Sequence, residues 1–199
     1  MPDESTEVSG GREPISAKVP VSPGYRKSAP SSAPSSSRMV AAYLADIEQL
    51  LDAHRAEPAL REALDLPRIA AALADAELRC TQESVNRWCE QWIRPPGAER
   101  DTHGLEYERL SATIVQKLAQ TSEPDGVPMR ALRRLQLRRH ARTAPRGFEA
   151  RRSPNLSARE SESFDLCVAL IEAARRWYAR NACHDPTVQA NLARLAVLR

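Results

Sequence analysis

From Met39 onward the apolar residues of this chain recur every three or four positions and nowhere alternate one by one. That spacing is the tightest constraint on the fold. A period of 3.6 lines one face of a helix, whereas a half-buried strand needs a period of two. Val40, Tyr43, Leu44, Ile47, Leu50, Leu51 and His54 share the first stripe. Ser37 is placed to cap this helix and Pro58 to stop it, with a short turn over 59–64. Asp65 caps a second helix that carries Pro67 in its first turn and runs through Ile69, Leu73 and Ala76. Thr81 caps a third over 82–93, with Val85, Trp88, Cys89 and Trp92 on one face, and Pro95-Pro96-Gly97 ends it.

A fourth helix is predicted over 105–120, with Tyr107, Leu110, Ile114 and Leu118 inward. A turn at 123–126 leads to Pro128, which opens a helix over 129–141. Residues 143–156 read as irregular. Ser157 and Glu160 then form a capping-box pattern. It opens a long helix to about 181, with Phe164, Cys167, Val168, Ile171, Ala174 and Tyr178 along one side. Asp185-Pro186 caps a last helix carrying Val188, Leu192 and Leu195. The predicted class is all-α, one or two small helical bundles behind a disordered N-terminal tail. The expected segments are a tail over 1–37, an acidic bundle over 38–122, and an Arg-rich helix, linker and C-terminal helices over 123–199.

Residues 1–37 hold ten Ser, six Pro and three Gly, about half of that segment. So polar a stretch buries too little surface to offset its ordering entropy, which is why it is assigned to the tail. No run approaches the roughly 20 apolar residues of a membrane span. The acidic start does not resemble a secretory leader. Four cysteines in 199 residues are too few for a disulfide scaffold and point to a reducing compartment. These features lead to an expected cytoplasmic location. The location would be nuclear in a eukaryote or its virus, where Arg133-Arg134, Arg138-Arg139 and Arg151-Arg152-Ser153-Pro154 would suit an import signal.

The net charge of +3 conceals an asymmetry. Residues 38–129 carry 10 basic and 16 acidic side chains, a net of −6, whereas 130–152 carry nine arginines against Glu149, a net of +8. At about 100° per residue, Arg130, Arg133, Arg134 and Arg138 span an arc of roughly 140°, with Leu132 and Leu135 opposite. Arg139 extends the charge beyond them. Guanidinium forks suit bidentate contact with phosphate or carboxylate. Two kinds of partner follow, a nucleic-acid backbone or an acidic protein surface, the chain's own 38–129 segment included.

The stretch from Leu73 to Trp88 resembles helix-turn-helix regulators of the phage-repressor kind. A small-residue helix leads through a short turn into the Thr81-capped helix, with Val85 and Trp88 facing the core. The resemblance implies exposed, base-reading positions at Gln82, Glu83, Asn86 and Arg87, of which Gln82, Asn86 and Arg87 are the candidates for reading bases. Arg130, Arg133, Arg134, Arg138 and Arg139 would then supply the phosphate contacts. The expectation is a small helical DNA-binding protein, a transcription regulator on duplex DNA, with RNA as the variant and a homodimer to span two half-sites. The alternative is a helical protein-interaction module, an adaptor or secreted effector with a disordered leader. The nucleic-acid reading requires the arginines to face outward and not the chain's own carboxylates.

No enzyme is expected, because no Gly-rich phosphate loop, nucleophile elbow or distinctive carboxylate pair is present. No cofactor is expected. Cys80, Cys89, His103 and His184 lack metal-ligand spacing and would gather only if the fold converged on them, so no metal site is assigned.

Overall fold

The computed structural model describes residues 35–95, 102–121, 125–138 and 154–197. Among them are eight α-helices and no strand. They are α1 (Ser35–Asp52), α2 (Ala56–Ala63), α3 (Leu66–Ala74), α4 (Gln82–Trp92), α5 (Thr102–Gln120), α6 (Met129–Leu137), α7 (Ala158–Trp177) and α8 (Pro186–Val197). The chain is all-α, as the apolar spacing predicts. The helices belong to one compact unit. Side chains from α1 through α8 meet in one apolar core. The expected tail lies outside the described residues up to residue 34, as do most of the expected irregular stretch and the end of the Arg-rich helix over 139–153.

The core is organised around α7 and α3. Along α7, Leu166, Cys167, Leu170, Ile171 and Ala173 are fully buried. The helix packs chiefly on α2 and also meets α3, α4 and α5. Every residue from Leu66 to Leu73 in α3 is buried. The run Ala70-Ala71-Ala72 lets neighbours approach it closely, and α4, α6, α7 and α8 all touch it.

Several local expectations hold in detail. Thr81 and Ser84 form a reciprocal capping box at the start of α4, as Ser157 and Glu160 do for α7. Asp185 accepts hydrogen bonds from the Thr187 and Val188 amides at the start of α8.

Others are corrected. Pro58 does not stop α1. It sits in the first turn of α2, where its missing N–H has no intrahelical partner to lose. The predicted turn over 59–64 is mostly helix, because Ala59, Leu60 and Ala63 share one buried face against α7. α1 instead ends at Asp52. His54 adopts a left-handed φ of 57°, the His54 amide donates to Leu51 O, and the Arg55 amide donates to Leu50 O. This is a Schellman-type ending with histidine where glycine is usual, and it leaves His54 exposed rather than on the apolar stripe. Asp65 precedes α3 but makes no side-chain cap bond, because its carboxylate is taken by Arg134. The end of the long helix changes register into a π-helical turn, Tyr178–Ala182.

Distant side chains close several helix ends, those of α3 and α5 among them. Asn191 of α8 is buried, and its Nδ2 donates to Leu73 O at 3.0 Å and Asp75 O at 2.8 Å, ending α3. Arg68 of α3 is also buried. Its Nη2 donates to Leu118 O at 3.0 Å and to Thr121 O and Oγ1, both at 3.3 Å, ending α5. Both satisfy carbonyls that a helix leaves without partners.

Candidate functional site

The α3–α4 pair is joined by seven residues, Asp75 to Thr81, whereas a helix-turn-helix uses about three or four. Asp75 organises the connection, its Oδ1 accepting from the Glu77 and Arg79 amides at 2.9 and 3.0 Å. Leu78 takes a left-handed φ of 60° yet is buried. A bulky residue rarely holds that conformation. Here burial of its side chain opposes the strain. Cys80 and Gly126 exchange both backbone hydrogen bonds, pinning this connection to the segment before α6.

The residues that the resemblance assigns to base reading are locally engaged. Gln82 Nε2 donates to Asn86 Oδ1 at 2.8 Å, and both side chains are half-buried. The Gln82 amide donates to the Asp125 carboxylate at 3.0 Å. A carboxylate therefore stands at the α4 N-terminus, where a phosphate would dock on the helix dipole. Arg87 is exposed and paired with Glu83 at 2.6 Å, one turn back.

The arginines of α6 divide. Arg134 is partly buried and meets Asp65 at 2.6 Å and Glu62 at 3.4 Å. Burial holds the Asp65 carboxyl above its ordinary range, while the nearby Arg134 guanidinium pulls it down. Arg138 pairs with Asp46 of α1. These two guanidiniums meet the chain's own acidic helices. Arg130 and Arg133 are exposed and make no ion pair among the described residues. Arg139 lies outside the described residues.

Two cavities flank α6. One is a groove of about 350 Å³ walled by Leu78, Val127, Met129, Leu132 and Leu195. Arg133 and Gln136 stand at its edge. Met129 is 67% exposed and Val127 42%, although both line an apolar hollow. The other, about 220 Å³, gathers Arg61, Arg68, Arg130 and Arg134 beside Asp65 and Thr121.

Neither cavity is legible in the sequence. The groove takes its walls from the α3–α4 connection, the segment before α6, α6 itself and α8. Leu78 carries no turn signature. Only the apolar pair Val127 and Met129 around Pro128, in an otherwise charged stretch, hints at it. Arg61 and Arg68 read as ordinary helix-surface charges.

Burial pushes the Cys89 and Cys167 thiols up to about 12, so neither is a ready nucleophile. Among the described residues no three His, Cys, Asp or Glu side chains gather to hold a metal ion. Among them also, no helix is long and apolar enough to cross a membrane. Comparison with family models, with curated proteins and with solved structures finds no match.

Proposed function

We propose that this chain is a helical protein-interaction module, a binding protein without catalytic chemistry of its own, whose docking face is the groove beside α6. The observation that carries the reading is Met129, 67% exposed on the wall of an apolar hollow that is also lined by the strained, buried Leu78. Strain of this kind persists where the surroundings over-determine it, and it clusters at functional positions. Covering what remains exposed of Met129 and Val127 would contribute a fraction of the roughly 1.5–3 kcal/mol that full burial of such a side chain is worth, the larger share from Met129. Methionine also adapts readily to differently shaped partners. Arg133 at the edge pairs with no acid among the described residues, which suits a partner that is an amphipathic segment with apolar anchors and a carboxylate placed to meet that guanidinium.

Duplex-DNA binding by a regulator remains the second reading. It is favoured by Arg130 and Arg133, which make no ion pair among the described residues, and by nine arginines over 130–152. Against it stand the internal pairing of Arg134 and Arg138 and the carboxylate at the α4 N-terminus.

One experiment separates them. Displayed peptides are panned on the purified chain and counter-selected on Met129→Asp, and the same preparations are run in a gel shift with nonspecific duplex at low and moderate salt. The expected peptides combine apolar anchors with acidic residues, and Arg133→Glu weakens them about tenfold or more, the worth of one charge-assisted contact. Duplex is not retarded. Peptides without acidic preference, or none at all, would overturn the docking reading. Retardation that falls steeply with salt would install the DNA reading in its place.

A further inference from the structure

α6 presents different faces to the two cavities. At about 100° per residue, Met129, Leu132, Arg133 and Gln136 fall on the groove side, while Arg130 and Arg134 lie one turn apart on another face. We propose that the crevice on this second face binds a small inorganic phosphate anion, either free phosphate or diphosphate, between Arg61, Arg68, Arg130 and Arg134.

The charge count is the first argument. Four guanidiniums contributed by α2, α3 and α6 converge on a crevice of about 220 Å³. Two carboxylates oppose them, Asp65 and Glu62, and both are held by Arg134. Four positive charges against two negative ones leave two uncompensated. The remainder is localised, because Arg61 and Arg130 are exposed and make no ion pair among the described residues. Other exposed arginines, Arg133 and Arg194 among them, also make no ion pair among the described residues, but only here do four guanidiniums line one of the crevices described. An anion carrying two or more charges supplies what is missing.

Preorganisation is the second argument. Arg68 is only 7% exposed, and its three bonds to the end of α5 all leave from Nη2. Nε and Nη1 make no bond within the described protein. The side chain is therefore clamped at one nitrogen with two donors left over. Arg134 is fixed likewise by Asp65. A ligand meeting these two groups orders little that is not already ordered, which is how a small anion gains affinity.

Size is the third. The crevice holds about seven water volumes at roughly 30 Å³ each, room for one or two phosphoryl groups. The carbonyls of Leu118 and Thr121, which would repel an anion, are the atoms that Arg68 already covers.

The test is calorimetric titration of the full chain with inorganic phosphate and with diphosphate at physiological salt. Wild type, Arg61→Gln, Arg130→Gln and Arg133→Gln are compared, each checked for an unchanged helical spectrum. Arg61 and Arg130 are exposed, so their replacement leaves the core intact. Wild type is expected to bind one equivalent of at least one of the two ligands. Arg61→Gln and Arg130→Gln each weaken binding about tenfold, and Arg133→Gln, on the groove side, leaves it unchanged. No heat from either ligand at millimolar concentration would overturn the proposal. So would equal weakening in all three variants, which marks diffuse attraction to a basic surface. The peptide result above does not bear on this outcome, since the two cavities share no residue.

Discussion

Leu170→Ala is expected to lower the unfolding free energy by about 2–5 kcal/mol, the range for deleting a buried leucine without full collapse of the space it leaves. Leu170 is fully buried in the middle of α7, the helix that meets α2, α3, α4 and α5. Relaxation into the hole would have to move several helices at once, which places the expected value in the upper half of that range. At about 2–4 °C per kcal/mol for a chain of this size, a loss of about 3.5–5 kcal/mol should lower the melting point by roughly 7–20 °C. Leu137→Ala is the matched control. Leu137 is 66% exposed on α6, and its truncation should change stability by less than about 0.5 kcal/mol. Urea unfolding of the two variants checks both. If Leu170→Ala were as mild as Leu137→Ala, α7 would not be the centre of the core.

The second large effect depends on pH. Glu48 of α1 is buried and paired with Arg175 of α7, whose side chain is 37% exposed. Burial raises the Glu48 carboxyl above its ordinary 4.5, Arg175 pulls it down, and Asp52 pushes it up. A raised carboxyl binds its proton more tightly in the folded state than in the unfolded one. Its stabilising contribution is therefore complete below pH 4.5 and is lost as pH rises through the folded value. Arg175→Met removes the downward pull and leaves the charge buried. At neutral pH this should cost about 3 kcal/mol, the low end for breaking a buried pair because Arg175 is partly solvated. The deficit should shrink on acidification, as Glu48 protonates. In Glu48→Gln the slope of stability with pH should flatten, apart from the contribution of Asp65, which has the same sign. Denaturation series from acidic to neutral pH test this. A deficit in Arg175→Met that is constant with pH would mean that Glu48 is not the group responsible.

The helices were readable from sequence wherever a long apolar stripe met a strong local cap. Thr81, Ser157 and Asp185 sit at the positions their side-chain chemistry dictates, because each bonds amides within three residues. Legibility failed where a distant side chain outbid a local one. Asp65 has the composition of a cap but is drawn to Arg134, 69 residues away. α2 has only eight residues, too few for its period to show, and its helicity rests on packing against α7. The Arg-rich helix was visible as a charge run, but its division was not. Which arginines face Asp46, Glu62 and Asp65 depends on how α6 lies against α1 and α2, and no local pattern encodes that. The groove and the basic crevice escaped for the same reason, since each draws its lining from several separate segments.

The placement of α7 sets a timetable for the nascent chain. Glu57 on α2 meets Arg159 and Ser163 on α7, 102 and 106 residues further on, and Glu48 meets its arginine across 127. At about 5–20 residues per second, the ribosome delivers α7 roughly 5–20 seconds after α2. Throughout that interval the amino-terminal helices present bare leucine and alanine faces, a natural window for chaperone capture. Closing so long a span also costs more chain entropy than joining neighbouring helices, so this helical protein should fold more slowly than an up-and-down bundle of equal length.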